Sequence, residues 1–300
     1  MTAAPSTAST LETPSGKTAA DENFPVGSFL IRPALRRHVH VFYTFARAGD
    51  DIADNPDLEP DDKVVRLARL GEIIQGRADG TGESASAIRM RQSLEETGVT
   101  PQHCLDLLQA FTQDARKARY RNWEELLGYC FHSAAPVGRH LLDLHGEGTG
   151  CRRAADALCN ALQVVNHLQD CGRDYRALDR VYLPTDYIAE AGARIDDLAR
   201  PGLTPAMRQV LDRVIAPLDT LLADCADLVR QVDDTRIALE CQVIRTLCVR
   251  LTGRLKREDP LADRIVLTKP GAVGLALSGI IGGLLRRVGR SRPDDHAVPA

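Results

Sequence analysis

The amino-acid sequence predicts an all-α protein with one large domain. Apolar residues recur with helical periodicity through nearly the whole chain, whereas strand-like alternation is nearly absent and aromatic residues make up only 4% of the sequence. The helical segments follow one another without a long linker between them. With 300 residues, of which 44% are apolar, the chain is long enough to bury a sizeable core.

Capping residues and apolar periodicity give the predicted order of the helices. The first covers HVHVFYTFARAGDDIAD (38–54), and a central one covers ALCNALQVVNHLQDCGRDY (157–175). Other helices are predicted to begin at Pro60, at Thr100–Pro101, at Asn122, from which one helix continues to Gly146, and at Thr204–Pro205.

The two ends of the chain differ from its helical middle. Residues 1–21 are rich in Ala, Ser, Thr and Pro and predict a disordered tail, without the basic and apolar regions of a secretory signal. Residues 22–270 form the predicted helical domain. Residues 271–300 are first apolar and then basic, and their apolar stretch (272–285) is too short to span a membrane. We expect this segment either to lie on a membrane surface or to pack on the core.

Charge, cysteines and glycines exclude several classes of protein. A net charge of −3 gives no reason to expect nucleic-acid binding. The eight cysteines are scattered without a Cys-x-x-Cys pair, so we expect buried thiols, no structural zinc and a reducing, cytoplasmic location, at most peripheral on the inner face of the membrane. GEGTG (146–150) is interpreted as a turn. No dinucleotide fingerprint occurs, so no nicotinamide cofactor is expected.

Three aspartates crowd the C-terminal end of the first predicted helix. Asp50 and Asp54 are four residues apart and share a face, and Asp51 flanks them. Their repulsion and the helix dipole both disfavour negative charge at this end. Mg²⁺ would remove the conflict, because carboxylate oxygens are its preferred protein ligands.

A second polar group follows one face of the central helix at Gln163, Asn166, Asp170 and Asp174. One such pair of aspartates is usually only a solvated face, but two pairs on apolar helices favour a site between the helices. Di-iron carboxylate bundles need Glu-x-x-His pairs, which this sequence lacks. Mg²⁺ ions with a bound diphosphate fit both groups better, and Mn²⁺ is a possible substitute.

Basic and aromatic residues accompany both acidic groups. Tyr43 and Arg47 lie on the first helix just before its aspartates, and DRVYLP (179–184) brings Arg180 and Tyr182 shortly after the second group. An arginine in such a place can clamp a phosphate. These residues therefore support an anionic ligand.

Four ordered stretches resemble the squalene/phytoene synthase family of all-α isoprenoid synthases. They are YTFARAGDDIAD (43–54), WEELLGYCFHSAAPVG (123–138), QVVNHLQDCGRD (163–174) and DRVYLP (179–184), and the resemblance covers about residues 22–270. Within the family, DENFPVGSFLI (21–31) and YCFHSAAPVGR (129–139) are similar to the bacterial branch that makes hydroxysqualene. Phytoene and presqualene diphosphate synthases usually have a glycine-containing dipeptide where this chain has Ala135–Pro136.

The resemblance implies a single-domain helical bundle around a central apolar cavity. It implies catalytic roles for Asp50, Asp54, Asp170, Asp174 and Tyr182. The implied Mg²⁺ ligands are Asp50, Asp51 and Asp54 on one side and Asn166, Asp170 and Asp174 on the other. The implied substrate contacts are Ser28, Tyr43 and Arg47 for the diphosphate, Tyr129 and Ala135 for the hydrocarbon pocket, Gln163 for its polar rim, and Arg180 and Tyr182 for the diphosphate or a cation.

The activity implied by the resemblance is ionisation of presqualene diphosphate, followed by capture of the rearranged carbocation by water. The products would be hydroxysqualene, a precursor of squalene and hopanoids, and diphosphate. Alternative activities are head-to-head condensation of two farnesyl diphosphates to presqualene diphosphate and phytoene synthesis. An alternative of another class is a non-catalytic helical partner in an isoprenoid assembly. The expected partners are a prenyl diphosphate, a membrane surface and other enzymes of the pathway.

Overall fold

The computed structural model describes residues 10–14 and 28–288. Its helices are α1 (Arg36–Asp54), α2 (Pro60–Ile74), α3 (Ala85–Thr97), α4 (Gln102–Asp114), α5 (Trp123–Ser133), α6 (Ala135–Leu144), α7 (Arg152–Leu178), α8 (Thr185–Glu190), α9 (Pro205–Asp224), α10 (Leu228–Gln231), α11 (Thr235–Leu255) and α12 (Lys269–Arg287). The described residues contain no strand, only one isolated bridge between Arg119 and Val181. The predicted all-α class is confirmed.

Helix α7 is the longest helix and lies at the centre of the bundle. It packs against α5, α6, α9 and α11, so neighbours cover most of its circumference. Buried small residues such as Ala154, Ala155 and Ala161 let these neighbours approach closely. At Gly138 of α6, an added Cβ would lie only 2.5 Å from the Cys159 sulfur, so α6 and α7 are in close contact there.

Helix α1 belongs to a second group of helices. It packs against α2, α3 and α4, and it buries Phe42, Phe45 and Ile52. Helix α4 joins the two groups, because it also packs against α5 and α6. The C-terminal ends of α1 and α7 border one cleft, which contains the candidate site.

Two predicted helix starts, at Asn122 and Thr204, are confirmed by side-chain caps. Asn122 Oδ1 accepts a hydrogen bond from the Glu125 N–H at 3.0 Å, and Thr204 Oγ1 accepts one from the Met207 N–H at 3.1 Å. Helix α2 begins at Pro60, as predicted. In the stretch predicted as a turn (146–150), the turn ends at Gly146, and Thr149–Cys151 forms a short 3₁₀ helix. Helix α4 begins at Gln102, one residue later than predicted.

The single helix predicted from Asn122 to Gly146 is wrong. The chain breaks at Ala134, where α5 ends and α6 begins. Pro136 explains the break, because proline has no N–H to continue α5 but fits the first turn of a new helix. The break places Ala135, fully buried, at the start of α6.

The terminal segments are described only in part. Thr10–Pro14, within the predicted tail, contacts the α2–α3 region: the Leu11 N–H donates to the Glu83 carbonyl at 2.9 Å, and Glu12 accepts from Ser84 Oγ at 2.7 Å. The rest of that tail lies outside the described residues. At the other end α12 packs along α11. Among the described helices, none is long and apolar enough to cross a membrane.

All eight cysteines lie in the described part of the chain, and each is a free thiol. Most of them are buried, as the sequence predicts. Burial raises the pKa of several, such as Cys104 to about 12, so these thiols are neutral packing groups.

Candidate active site

Arg47 forms an ion-pair fork with two aspartates at the end of α1. Its Nη1 lies 2.9 Å from Asp50 Oδ2, and its Nη2 lies 2.8 Å from Asp51 Oδ1. Phe45 and Ile52 are fully buried and fix this end of the helix in the core. The fork offsets part of the repulsion between the neighbouring carboxylates.

Arg180 connects the third aspartate of α1 to the segment that follows α7. Its Nη1 donates to Asp54 Oδ1 at 2.8 Å. Asp179 ends α7 in the left-handed conformation (φ +48°), which aspartate tolerates better than most residues. Two residues after Asp179, the Val181 N–H donates to the Ala118 carbonyl at 2.9 Å. This turn holds the buried Arg180 side chain against α1.

Asp114, the last residue of α4, lies buried between the predicted site residues. Tyr129 donates its hydroxyl to Asp114 Oδ2 at 2.6 Å, and Tyr182 donates to Oδ1 at 3.3 Å. Arg180 Nε lies 3.9 Å from the same Oδ1. The sequence did not predict this aspartate. Its only local signal is the basic run ARKARY (115–120) directly after it.

Aromatic rings pack around these hydroxyl groups. The His167 ring stacks on the Tyr182 ring, with 3.6 Å between the ring centroids. The Tyr120 ring also stacks on Tyr182, with 5.6 Å between the centroids. Burial lowers the pKa of His167 to about 3, so the ring is neutral. Burial also holds the pKa of Tyr129 and Tyr182 well above the ordinary value, so both keep their protons. His167 is a second residue that the sequence did not single out.

The polar stripe of α7 reaches the end of α1 through Asp174, its last member. Its members Gln163, Asn166, Asp170 and Asp174 are all half-buried. Asp170 Oδ2 lies 2.5 Å from Arg173 Nη2. A cleft of about 360 Å³ is bordered by Asp51 and Asp54 from α1 and by Arg173 and Asp174 from α7. The two acidic groups therefore meet across one cleft, although more than a hundred residues separate them in the chain.

The carboxylates of the cleft are electrostatically strained. Burial, reinforced by Asp170, raises the pKa of Asp174 to about 7. Burial also raises the pKa of Asp114 to about 6, although Arg180 opposes the rise. The pKa of Asp50 is raised by desolvation and then by Asp54. The site thus concentrates more negative charge than its arginines neutralise.

The donor set fits Mg²⁺ together with a phosphate ligand. Among the described residues, no three acidic, histidine or cysteine side chains converge on one point that could hold an ion by protein ligands alone. Mg²⁺ is usually bound by one or two carboxylates plus substrate phosphates and water, so such a cage is not required. The excess of carboxylate charge on both walls of the cleft is what a divalent cation would neutralise.

Three further predicted substrate contacts are Tyr43, Ala135 and Ser28. Tyr43 is half-buried on α1, one turn before Arg47. Ala135 is buried between α5 and α6. Ser28 donates its hydroxyl to Glu240 on α11. Their proposed contacts with substrate stay predictions.

An apolar cavity of about 90 Å³ lies between α6, α7 and α11. Its walls include Val137, Leu141, Leu158 and Leu162. Leu162 lies one turn before Asn166 of the polar stripe on α7. A polar cleft and an apolar cavity that are both walled by α7 suit a ligand with an anionic head and a hydrocarbon tail.

Two known proteins are similar to this chain over most of its length. The hydroxysqualene synthase of Rhodopseudomonas palustris is 42% identical over 285 residues, which are 95% of this chain and 97% of that protein. The hydroxysqualene synthase of Sinorhizobium fredii is also 42% identical, over 83% of this chain and 84% of its own.

Solved structures and the family model lead to the same group. The crystal structure of squalene synthase HpnC from Alicyclobacillus acidocaldarius matches with a TM-score of 0.68 and 29% identity, over 77% of this chain and 87% of its own. The squalene/phytoene synthase family model matches residues 17–270. The chain therefore belongs to the squalene/phytoene synthase family of enzymes.

Proposed function

We propose that this enzyme converts presqualene diphosphate and water into hydroxysqualene and diphosphate, in the supply of squalene and hopanoids. The observation that carries the proposal is the cleft that Asp51 and Asp54 of α1 share with Asp174 of α7, together with the apolar cavity between α6, α7 and α11. The 42% identity to two hydroxysqualene synthases supports the choice of this reaction within the family.

The chain's own residues would bind and orient the diphosphate. Arg47 and Arg180 both pair with aspartates of α1 and can donate to phosphate oxygens as the leaving group gains charge. The hydroxyls of Tyr129 and Tyr182 are held by Asp114 and present neutral, polar groups beside the cleft. The apolar walls between α6 and α7 would restrict water around the carbocation.

Mg²⁺ would neutralise the diphosphate as it leaves, held by Asp50, Asp51 and Asp54 on α1 and by Asn166, Asp170 and Asp174 on α7. Mn²⁺ has the same preference for oxygen ligands and is proposed as a substitute. Nothing in the reaction consumes an electron pair from a reductant, so the proposal includes no nicotinamide.

The test is an incubation of purified enzyme with Mg²⁺ and one prenyl diphosphate at a time, without nicotinamide. Presqualene, farnesyl and geranylgeranyl diphosphates are supplied separately, and products are identified by mass spectrometry. We expect hydroxysqualene from presqualene diphosphate only. Presqualene diphosphate formed from farnesyl diphosphate, or phytoene from geranylgeranyl diphosphate, with presqualene diphosphate left unchanged, would contradict the proposal.

We also propose that α12 lies on an anionic membrane surface. Its outer face exposes a row of large apolar side chains, Val273, Leu277, Ile281, Leu284, Leu285 and Val288. Lys269–Arg287 contains no acidic residue, and exposed cations stand at both ends. On the inner face, Gly279 and Gly283 pack directly on Val243 and Leu239 of α11, so the helix is anchored to the domain. Such a face suits the interface of a bilayer.

The membrane proposal is tested by sedimentation with vesicles of phosphatidylcholine and phosphatidylglycerol. The double substitution Leu277→Ser and Ile281→Ser removes two side chains that are 56% and 59% exposed, so we expect weaker vesicle binding and an unchanged melting temperature. Val65→Ser on α2, at a 67% exposed position, is the matched control and should bind as the wild type does. Equal binding by all three proteins would exclude α12 as the contact. If the wild type is a dimer and the double variant is a monomer, the exposed face of α12 binds a second copy of the chain, which would also exclude the membrane contact.

A further inference from the structure

Glu240 is a buried carboxyl group on the wall of the apolar cavity. It lies on α11, and only 3% of its surface is exposed. Its hydrogen-bond partner is the Ser28 hydroxyl, which donates to Oε2. Burial raises the pKa of Glu240 above its ordinary value.

The surroundings of Glu240 are otherwise apolar. The described residues that line the cavity are aliphatic side chains, a glycine and two cysteines, and Glu240 is the one carboxyl among them. No ion pair of this carboxyl occurs within the described part of the chain. Burying a carboxylate without a cationic partner costs roughly several kcal/mol. A leucine or glutamine would pack here at lower cost, so packing alone does not account for a glutamate.

The cavity lies about one helical turn from one of the implied Mg²⁺ ligands. Leu162 forms part of its wall, and Asn166 of the polar stripe is one turn, about 5.4 Å, further along α7. If the diphosphate binds at Asn166, the reacting carbons next to it come within reach of the α11 wall of the cavity.

We propose that the Glu240 carboxylate holds the water molecule that captures the carbocation and accepts its proton. The inference rests on the proposed function, because only a reaction that ends in an alcohol needs a captured water. In this proposal, Glu240 determines whether the carbocation ends as an alcohol or as a hydrocarbon.

The step balances without a further reactant. The diphosphate leaves with the electron pair of its C–O bond, and the skeleton rearranges as a cation. A lone pair of the water oxygen forms the new C–O bond, and one water proton passes to the Glu240 carboxylate. That proton later exchanges with solvent. Without a held water, the cation would lose a proton from a neighbouring carbon and form a polyene.

The experiment compares product ratios of the wild type and Glu240→Gln with presqualene diphosphate and Mg²⁺ in ¹⁸O-labelled water. Glu240 does not line the cleft between α1 and α7, so we expect diphosphate release to persist in the variant. Any slowing through its hydrogen-bond partner Ser28 would lower both products equally. We expect the ratio of labelled alcohol to hydrocarbon to fall at least tenfold. The ratio does not depend on how much of the variant is folded, so a loss of stability cannot imitate the result.

Two further variants separate a chemical role from a packing role. Glu240→Asp keeps the carboxylate and should restore much of the alcohol fraction, whereas a packing role would make the shorter side chain as harmful as glutamine or worse. Glu258→Gln, a carboxyl just beyond α11 that pairs with Arg254, should leave the ratio unchanged.

Two results would overturn the inference, and they are distinguishable. An unchanged alcohol fraction in Glu240→Gln, with the wild type making hydroxysqualene, removes the role of Glu240 and leaves the proposed function intact. A wild type that releases no diphosphate from presqualene diphosphate removes the proposed function and this inference together.

Discussion

Individual arginines hold the acidic groups of the cleft in the described structure. Arg47 pairs with Asp50 and Asp51, and Arg180 pairs with Asp54. These contacts lower the cost of crowded carboxylates but do not remove it, since burial keeps the pKa of Asp174 raised to about 7. A cation with a phosphate ligand would relieve the same strain.

The aspartates could be predicted from the sequence because their four-residue spacing is a local pattern. Asp114 and Glu240 could not be predicted in this way. Asp114 owes its position to Tyr129 and Tyr182, which come from distant segments of the chain, and Glu240 owes its position to a cavity between three helices. Neither has a local motif.

The raised pKa of Asp174 predicts a pH dependence of stability. Between about pH 4 and pH 7 the folded carboxyl keeps a proton that the unfolded chain has lost, so ionisation destabilises the metal-free fold as the pH rises. Asp174→Asn cannot ionise. We expect the free energy of unfolding of the variant, minus that of the wild type, to become more positive over this range, as measured by urea unfolding without divalent ions.

The difference between the two proteins is the informative quantity. Buried histidines such as His140 and His167, whose pKa values fall to about 3, change stability in the opposite direction, and they cancel in the subtraction. A difference that stays constant from pH 4 to pH 8 would show that Asp174 titrates normally and that its carboxylate is not strained.

At the level of the elements, helix order and helix ends follow from local rules. Thr204 and Asn122 cap their helices as their side chains predict. The break at Ala134 was missed because apolar periodicity continues through it, although Pro136 marks the start of a new helix. How α1 and α4 approach each other could not be predicted from either helix alone.

Gly49 permits the contact between α1 and α4, directly before the aspartates. A Cβ at this position would lie 2.7 Å from a ring carbon of Phe111. For Gly49→Ala, overpacking should cost about 1–3 kcal/mol, partly offset by a helix-propensity gain of about 0.5–1 kcal/mol. We therefore expect a net loss of up to about 2.5 kcal/mol in urea unfolding.

Gly253→Ala on α11 is the matched control for Gly49→Ala. Its added Cβ has no neighbour closer than 4.0 Å, so the helix-propensity gain should appear alone, as a stabilisation of about 0.5–1 kcal/mol. If both substitutions stabilise the protein, α1 and α4 are not in close contact at Gly49.

At the level of the whole molecule, the fold brings two acidic groups from distant parts of the chain to one cleft. Helices α1 and α7 belong to different packing groups, which α4 joins. Local patterns predict each helix but not this meeting, which was expected from two similar motifs and from the family resemblance. The cleft and its neighbouring cavity, about 360 and 90 Å³, depend on packing across all these helices.

Mg²⁺ with inorganic diphosphate should stabilise the whole protein, because it binds the assembled cleft and not the unfolded chain. At a hundredfold excess over Kd the expected gain is about 2.7 kcal/mol, observed as a rise in melting temperature. Asp50→Asn should lose most of this rise, whereas Asp219→Asn, which removes an exposed ion pair with Lys256, should keep it. An equal rise in both variants would place the diphosphate outside the acidic cleft.

The most direct test of the account is the rate of diphosphate release from presqualene diphosphate in Asp50→Asn and Asp170→Asn. One aspartate belongs to α1 and the other to α7, so a single ionising site requires both. The account predicts that each substitution slows release at least about a hundredfold, as expected for loss of a group that stabilises developing charge, while the circular dichroism spectrum is unchanged. Release at the wild-type rate in either variant would contradict it.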